Sequence, residues 1–429
     1  MSQELIHRNR TLILVGALHA FTHLYQVALL PLYLRIQQDL NLSSVEQATL
    51  LVTILGLAYF LPSYFLGAMA DHFSRKKLLT IGLTINSIGF IGLSLAPNYG
   101  LALASAALAG FGGSFYHPAA TALVARLFPE AKGRALGFVG IGASFGFFAG
   151  PLYSGWRVGN SGSWRIPVCE LGVFGLLAAG LFAWLAHDDR KAAPPGEIER
   201  IIQPSGAFGK QLFPTAGLWF LFFGAAFFFS MRDFAGSAMG TSGSLFLQNV
   251  HLFSPKSTGF ALAGIYLASA ISNPLFGSLS DRGRMRWVAF VLLLAAALIS
   301  VFPRVPVGWI SPVLLTYGFF FMASYPIVEA ALMEAVPDAV RGRVFGLFIT
   351  VCGLIGNLSH WLVGNWTHNL GPAAARIESY FPLYSLLSIL MAVSIAGLPL
   401  LNAIRKREHL PEMNTGAAAL SPLHAPDDA

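Results

Sequence analysis

A short charged motif occurs twice in this chain, half a chain apart. Gly67-Ala68-Met69-Ala70-Asp71-His72-Phe73-Ser74-Arg75-Lys76-Lys77 is matched by Gly277-Ser278-Leu279-Ser280-Asp281-Arg282-Gly283-Arg284-Met285-Arg286, with the two glycines 210 residues apart in a chain of 429. Each copy follows one long apolar stretch and precedes another. Each sets an Asp four residues after the Gly and a cationic cluster after that. A charged loop repeated between apolar spans points to two related halves built into a bilayer. The repeat reaches further, since Tyr116-His117-Pro118 through Gly137 matches Tyr325-Pro326 through Gly346 at nearly the same offset.

Composition agrees with burial in lipid. Charged residues are 11% and hydrophobic residues 55%, where a soluble domain carries about 25% charged residues. A hydrocarbon core about 30 Å thick takes roughly 20 apolar helical residues to cross. That length predicts twelve spans: 11–34, 45–69, 78–96, 100–127, 134–157, 166–187, 213–247, 256–279, 286–303, 308–335, 343–368 and 378–403. The fold class is therefore all-α integral membrane, with twelve transmembrane helices in two pseudo-symmetric six-helix bundles. Residues 1–187 form the N-terminal bundle, 188–212 a polar, Pro-rich cytoplasmic linker, 213–407 the C-terminal bundle and 408–429 a disordered cytoplasmic tail. Gly236, Gly240 and Gly243, set among Ser and Thr, predict a broken or unwound end to the seventh span.

The cations orient the chain. With both termini on one side, only Arg35, Arg157, Arg165, Lys256, Arg304 and Arg376 fall on the other, and Arg232 alone lies inside a span. The positive-inside rule then puts both termini in the cytoplasm of a multi-pass inner (plasma) membrane protein. The same distribution explains the net charge of +7 without a nucleic-acid partner. Met1–Arg10 is too polar for the core of a cleavable signal, so the first span is expected to remain. Cys169 and Cys352 offer neither a disulfide framework nor zinc spacing. A Gly-x-x-x-x-Gly-Lys phosphate loop is absent from the sequence, which argues against ATP drive. No cofactor is called for, and no nucleophile–base pattern marks an enzyme.

Across essentially its whole length the chain resembles the major facilitator superfamily. The loop motif is similar to that superfamily's signature between its second and third helices, with His72 and Ser74 standing where Arg and Gly are usual. Gly146-Phe147-Phe148-Ala149-Gly150-Pro151-Leu152-Tyr153-Ser154-Gly155 resembles its antiporter signature, with Ser154 in place of one Gly. Gly110 through Pro118, and His19 followed by Pro31, resemble the fosmidomycin-resistance group of exporters. That group's usual acid in the first span corresponds to His23 here. The resemblance implies a monomeric transporter of two parallel bundles, rocking about a central site.

Ionisable residues inside spans mark candidate sites, because each costs a few kcal/mol in hydrocarbon unless paired or wetted (~2.5–3.5 kcal/mol on insertion scales). Arg232 and Asp233 are adjacent and project about 100° apart on a helix, so neither is expected to serve merely as the other's partner. Arg232 suits an anionic substrate group and Asp233 a coupling proton, while a structural charge pair is the alternative. His19 and His23 share a helix face at i and i+4. They could bind substrate, carry protons, or simply hydrogen-bond a carbonyl. A metal would need further ligands, so no metal site is expected. Tyr116, His117, Glu329 and His360 complete the substrate and proton candidates. Gly67, Asp71, Arg75, Lys76, Asp281 and Arg282 are expected to latch the cytoplasmic side. Arg126 and Glu334 organise the inner gate, and Gly146, Gly150 and Pro151 serve as packing surface or hinge.

The expected activity is secondary transport, with a small molecule, the proton and the lipid bilayer as partners. The favoured form is proton-coupled efflux of a drug-like or anionic molecule. Proton-symport uptake of an organic anion and a non-transporting ligand sensor are the alternatives.

Overall fold

The computed structural model describes residues 3–188, 212–337 and 340–418, without the side chains of 3–4, 64, 67–68, 70–72 and 408–418. Every regular element among them is an α-helix or a short 3-10 turn. The first half holds α1 (Gln3–Val27), α2 (Tyr33–Asp39), α3 (Val45–His72), α4 (Arg75–Leu95), α5 (Tyr99–Gly113), α6 (Tyr116–Leu127), α7 (Lys132–Ser161) and α8 (Arg165–Leu185). The second holds α9 (Ala216–Asn249), α10 (Pro255–Leu267), α11 (Ser269–Ser280), α12 (Arg284–Val301), α13 (Ile310–Ala335), α14 (Arg341–Asn369), α15 (Phe381–Val393) and α16 (Gly397–Ala418).

Eleven of the predicted spans are helices, or helices joined end to end, that are long and apolar enough to cross a membrane. The twelfth is the α5–α6 pair of 15 and 12 residues. Prolines account for several breaks. Pro118 has no N–H for the Ser114 carbonyl, where α5 gives way to α6; Pro31 withholds one from Val27, where α1 ends; Pro399 does so at the short turn Ser394–Ala396.

One expectation is corrected. The seventh span is not broken, because α9 runs unbroken for 34 residues. Its small residues are packing surface: a β-carbon at Gly236 would overlap Phe321, and Gly240 and Gly243 face Leu30 and Leu262. Two of its hydroxyls are satisfied from neighbouring elements, Thr241 by Tyr33 (3.0 Å) and His360 Nδ1 (2.6 Å), and Ser244 by donating to the Leu30 carbonyl (2.5 Å). The last helix is continuous from Gly397 as far as Ala418. Most of the expected linker lies outside the described residues.

Within the first half α1 packs on α7, and α4 on α5 and α8; within the second α9 packs on α14, and α13 on α11 and α12. The halves meet chiefly through α3 against α14 and α7 against α10. These contacts gather at the end remote from the chain termini. There Glu46 accepts from Trp361 Nε1 (2.5 Å) and Asn365 Nδ2 (3.0 Å). Thr53 donates to the Asn357 carbonyl at 3.0 Å and accepts from the Trp361 amide at 2.9 Å. β-carbons at Gly155 and Gly259 would overlap the carbonyls of Pro255 and Pro151 across the same seam. At the opposite ends of α7 and α14, Gly133, Gly137, Gly140, Gly342 and Gly346 have open space where a β-carbon would stand. The two halves are thus closed against each other at the end remote from the termini.

Candidate functional site

Two polar clusters lie in the middle of the helices, one in each half. In the second half, Arg232 sits at the midpoint of α9 and is 2% exposed. It pairs with its neighbour, Nε donating to Asp233 Oδ1 at 2.9 Å and Nη2 lying 2.8 Å from the same oxygen. The 100° between adjacent positions is overcome by the reach of the arginine side chain. The Tyr325 ring lies under the guanidinium at 4.0 Å and that of Phe229 at 5.6 Å, arrangements favourable for a cation. The Tyr325 hydroxyl donates to Asp233 Oδ1 at 3.0 Å. All three donors therefore converge on Oδ1, while Arg232 Nη1 is buried without a hydrogen-bond partner. Glu329, one turn beyond Tyr325 on α13, is exposed and lies within the electrostatic reach of both charges.

In the first half, α6 crosses α1 so that His117 joins His19 and His23. One ligand atom from each of the three rings lies within 4.8 Å of the others. His19 Nε2 faces His23 Nε2 at 3.0 Å; His19 Nδ1 meets the Val139 carbonyl at 2.9 Å and His23 Nδ1 meets Gln26 Oε1 at 3.0 Å. Tyr116 stacks on His19 at 4.6 Å while donating to the Val15 carbonyl at 2.9 Å. Phe147 stacks on His23 at 4.3 Å and on Tyr266 of the second half at 5.0 Å. The sequence did not place His117 beside the histidine pair, and the helix crossing brings it there. His360 stands apart, buried and held by Thr241.

The gating candidates divide. Gly67 and Asp71 of the first loop motif lie outside the residues whose side chains are described. Arg75 and Lys76 open α4, whose N-cap is Ser74: its hydroxyl accepts from the Lys77 amide at 3.3 Å and lies 3.2 Å from Asp188. Ser74 has φ −60°, so this turn has no need of the usual glycine. The second copy does, because Gly283 caps α12 at φ +138°. Asp281 meets Arg284 at 3.4 Å, and Glu334 binds Arg284 and Arg405, all within the second half. Arg282 is exposed, and Arg126 lies in the last turn of α6. Gly142 and Gly146 press on the carbonyls of Gly16 and Ala20, and Gly150 meets α1 at Leu24 and Val27. Pro151 sits inside an unbroken α7, so this run acts as packing surface in the structure.

Some residues escaped the sequence reading. Tyr59, buried and edge-on to His117 at 6.2 Å, carries no local signal. Glu46 is an acid in the first turn of an apolar span, and that placement could have marked it.

Known proteins resemble this chain in sequence and in fold. The Escherichia coli (strain K12) fosmidomycin resistance protein is 23% identical over 380 residues, covering 87% of this chain and 90% of that one. The Bacillus subtilis (strain 168) multidrug resistance protein 2 is 25% identical over 313 residues, 72% of this chain and 76% of that one. The fold matches a bacterial homologue of the human lysosomal transporter Spinster, solved in an inward-facing, occupied conformation, with a TM-score of 0.68 and 18% identity over 94% of this chain and 96% of that one. Residues 12–359 match the Major Facilitator Superfamily, and this chain, a multi-pass membrane transporter and not an enzyme, belongs to that family.

Proposed function

We propose that the chain exports a small organic anion in exchange for protons, by alternating access about a site between its two halves. The observation that carries this reading is Arg232: a buried guanidinium whose Nη1 has no hydrogen-bond partner beside a carboxylate already holding three donors on one oxygen. An unpartnered charged donor of this kind favours an anionic oxygen, and the planar guanidinium suits a carboxylate or phosphonate. Asp233, with Glu329 nearby, is the carboxylate that takes the coupling proton. Protonating Asp233 loosens its hold on Arg232 and frees the guanidinium for substrate. Protonation biases the cycle only through its differential affinity for the two states.

The distribution of cations favours the cytoplasm for the end bearing the termini, and with the contacts between the halves gathered at the other end this supports an inward-facing reading. Residues 1–187 and 213–407 move as two bodies joined by the linker, the protein works as a monomer, and it resides in the inner membrane. Both named relatives are resistance proteins, which favours export over uptake.

The test is a proteoliposome carrying an internal pH dye, challenged with carboxylates, phosphonates and neutral drugs. Opposed fluxes of proton and anion, abolished in Asp233→Asn, are expected. Movement of both in one direction would make the protein an uptake symporter. Binding without flux would make it a sensor.

A further inference from the structure

The first-half cluster has a feature that anion transport does not use. A carbonyl oxygen only accepts hydrogen bonds, so His19 Nδ1, 2.9 Å from the Val139 carbonyl, must carry its ring's proton. His23 Nδ1 lies 3.0 Å from the Gln26 side-chain amide, which offers it an acceptor through its oxygen or a donor through its nitrogen. A neutral imidazole has one N–H, so His19 Nε2 presents a lone pair. It faces His23 Nε2 at 3.0 Å, so two imidazole nitrogens stand close enough to share one cation. A third imidazole, His117, completes the group. We propose that His19, His23 and His117 bind one divalent first-row transition-metal ion, with water in an open fourth position.

The chemistry of the donors fits. Neutral imidazole suits zinc, copper, nickel and cobalt, and three histidines with one open position is a recurring zinc arrangement. Metal–nitrogen bonds of about 2.0–2.1 Å in tetrahedral geometry put ligand nitrogens about 3.3 Å apart. The His19–His23 pair is already near that spacing, and His117 needs a side-chain rotation. The contacts to Val139 and Gln26 are the orienting hydrogen bonds that metal-bound histidines usually make. Two further buried groups have no hydrogen-bond partner, the Tyr59 hydroxyl and Gln26 Nε2, and Tyr59 lies edge-on to His117. A water held on the metal would give such a hydroxyl a partner. All three histidines are partly exposed, which leaves an ion a way in. Every protein ligand belongs to the first half, so the site survives the relative motion of the two bodies.

The experiment uses the full chain in detergent, stripped with chelator and titrated with Co²⁺ and then Zn²⁺. One Co²⁺ per chain is expected, with visible ligand-field bands of a four-coordinate ion that Zn²⁺ displaces. His23→Ala and His117→Ala should each weaken binding at least about ten-fold, while the exposed His368→Ala leaves it unchanged. His23→Asp, which keeps a ligand, should restore part of the affinity and guards against a folding artefact. Asp233→Asn should abolish anion flux and spare the cobalt bands, so the two readings fail separately. Folded wild-type protein without ligand-field bands would overturn the proposal. So would bands that persist in the His23→Ala, His117→Ala double variant. A histidine ¹⁵N spectrum showing a shared proton that excess Zn²⁺ does not displace would identify the cation as H⁺ and overturn it as well.

Discussion

Arg232 and Asp233 are consecutive in sequence, yet their side chains close a salt bridge of 2.8 Å at the midpoint of a 34-residue helix. The pair depends on a third residue, because Tyr325 supplies both a ring beneath the guanidinium and a hydroxyl to the carboxylate. Removing one partner strands the other charge. Arg232→Ala is expected to destabilise the protein by about 3–5 kcal/mol, and Arg232→Met combined with Asp233→Asn to recover most of that. Thermal denaturation in detergent checks the stabilities. Anion flux should be lost in both, since neither retains the guanidinium.

Glu46 ties the two halves together at the closed end through Trp361 and Asn365. Hydrogen bonds to a charged group contribute about 1.5–3 kcal/mol each. Glu46→Ala should therefore shift the population toward the state open at that end, by on the order of ten-fold or more. Spin labels at Ser43 and Asn369, both exposed at that end, would report a new, longer distance population. An unchanged distribution would mean that the packed glycine seam alone holds the end shut.

The glycines of α7 should respond oppositely to the same substitution. Gly146→Ala drives a methyl into the Ala20 carbonyl, and overpacking of this kind costs about 1–3 kcal/mol. Gly140→Ala meets open space and gains helix propensity, up to about 1 kcal/mol. Melting temperatures that move the same way in both variants would contradict this account of the seam between α1 and α7.

The two copies of the loop motif should differ in their tolerance. Ser74→Gly removes only a cap and is expected to cost a few tenths of a kcal/mol, against about 1 kcal/mol for Ser74→Ala. Gly283→Ala must hold φ +138°, and should cost more than about 1 kcal/mol. Unfolding midpoints of the three variants check the ordering.

Much of this architecture was legible because its causes are local. A helix in hydrocarbon satisfies its own backbone, so apolar length alone marks a span. The α9 helix shows where local reading fails. Its Gly, Ser and Thr content predicts unwinding, but Phe321, Leu30 and Leu262 fill the grooves, and Tyr33, His360 and the Leu30 carbonyl satisfy the hydroxyls of Thr241 and Ser244. Each of these partners is distant in sequence or lies across the seam between the halves.

The candidate site divides in the same way. Arg232, Asp233 and Glu329 announce themselves, because a charge inside an apolar run is visible to anyone counting. His19 and His23 declare a shared face through helix periodicity. The sequence by itself determined the spans, the repeat and the polar residues within the membrane, since hydropathy and the 3.6-residue period are properties of neighbours. Tertiary structure alone decided that His117 joins the histidine pair while His360 does not, that Arg232 turns to Asp233, and that Glu46 bridges the halves. Those outcomes depend on how helices cross, and a crossing is set by side chains from several segments at once.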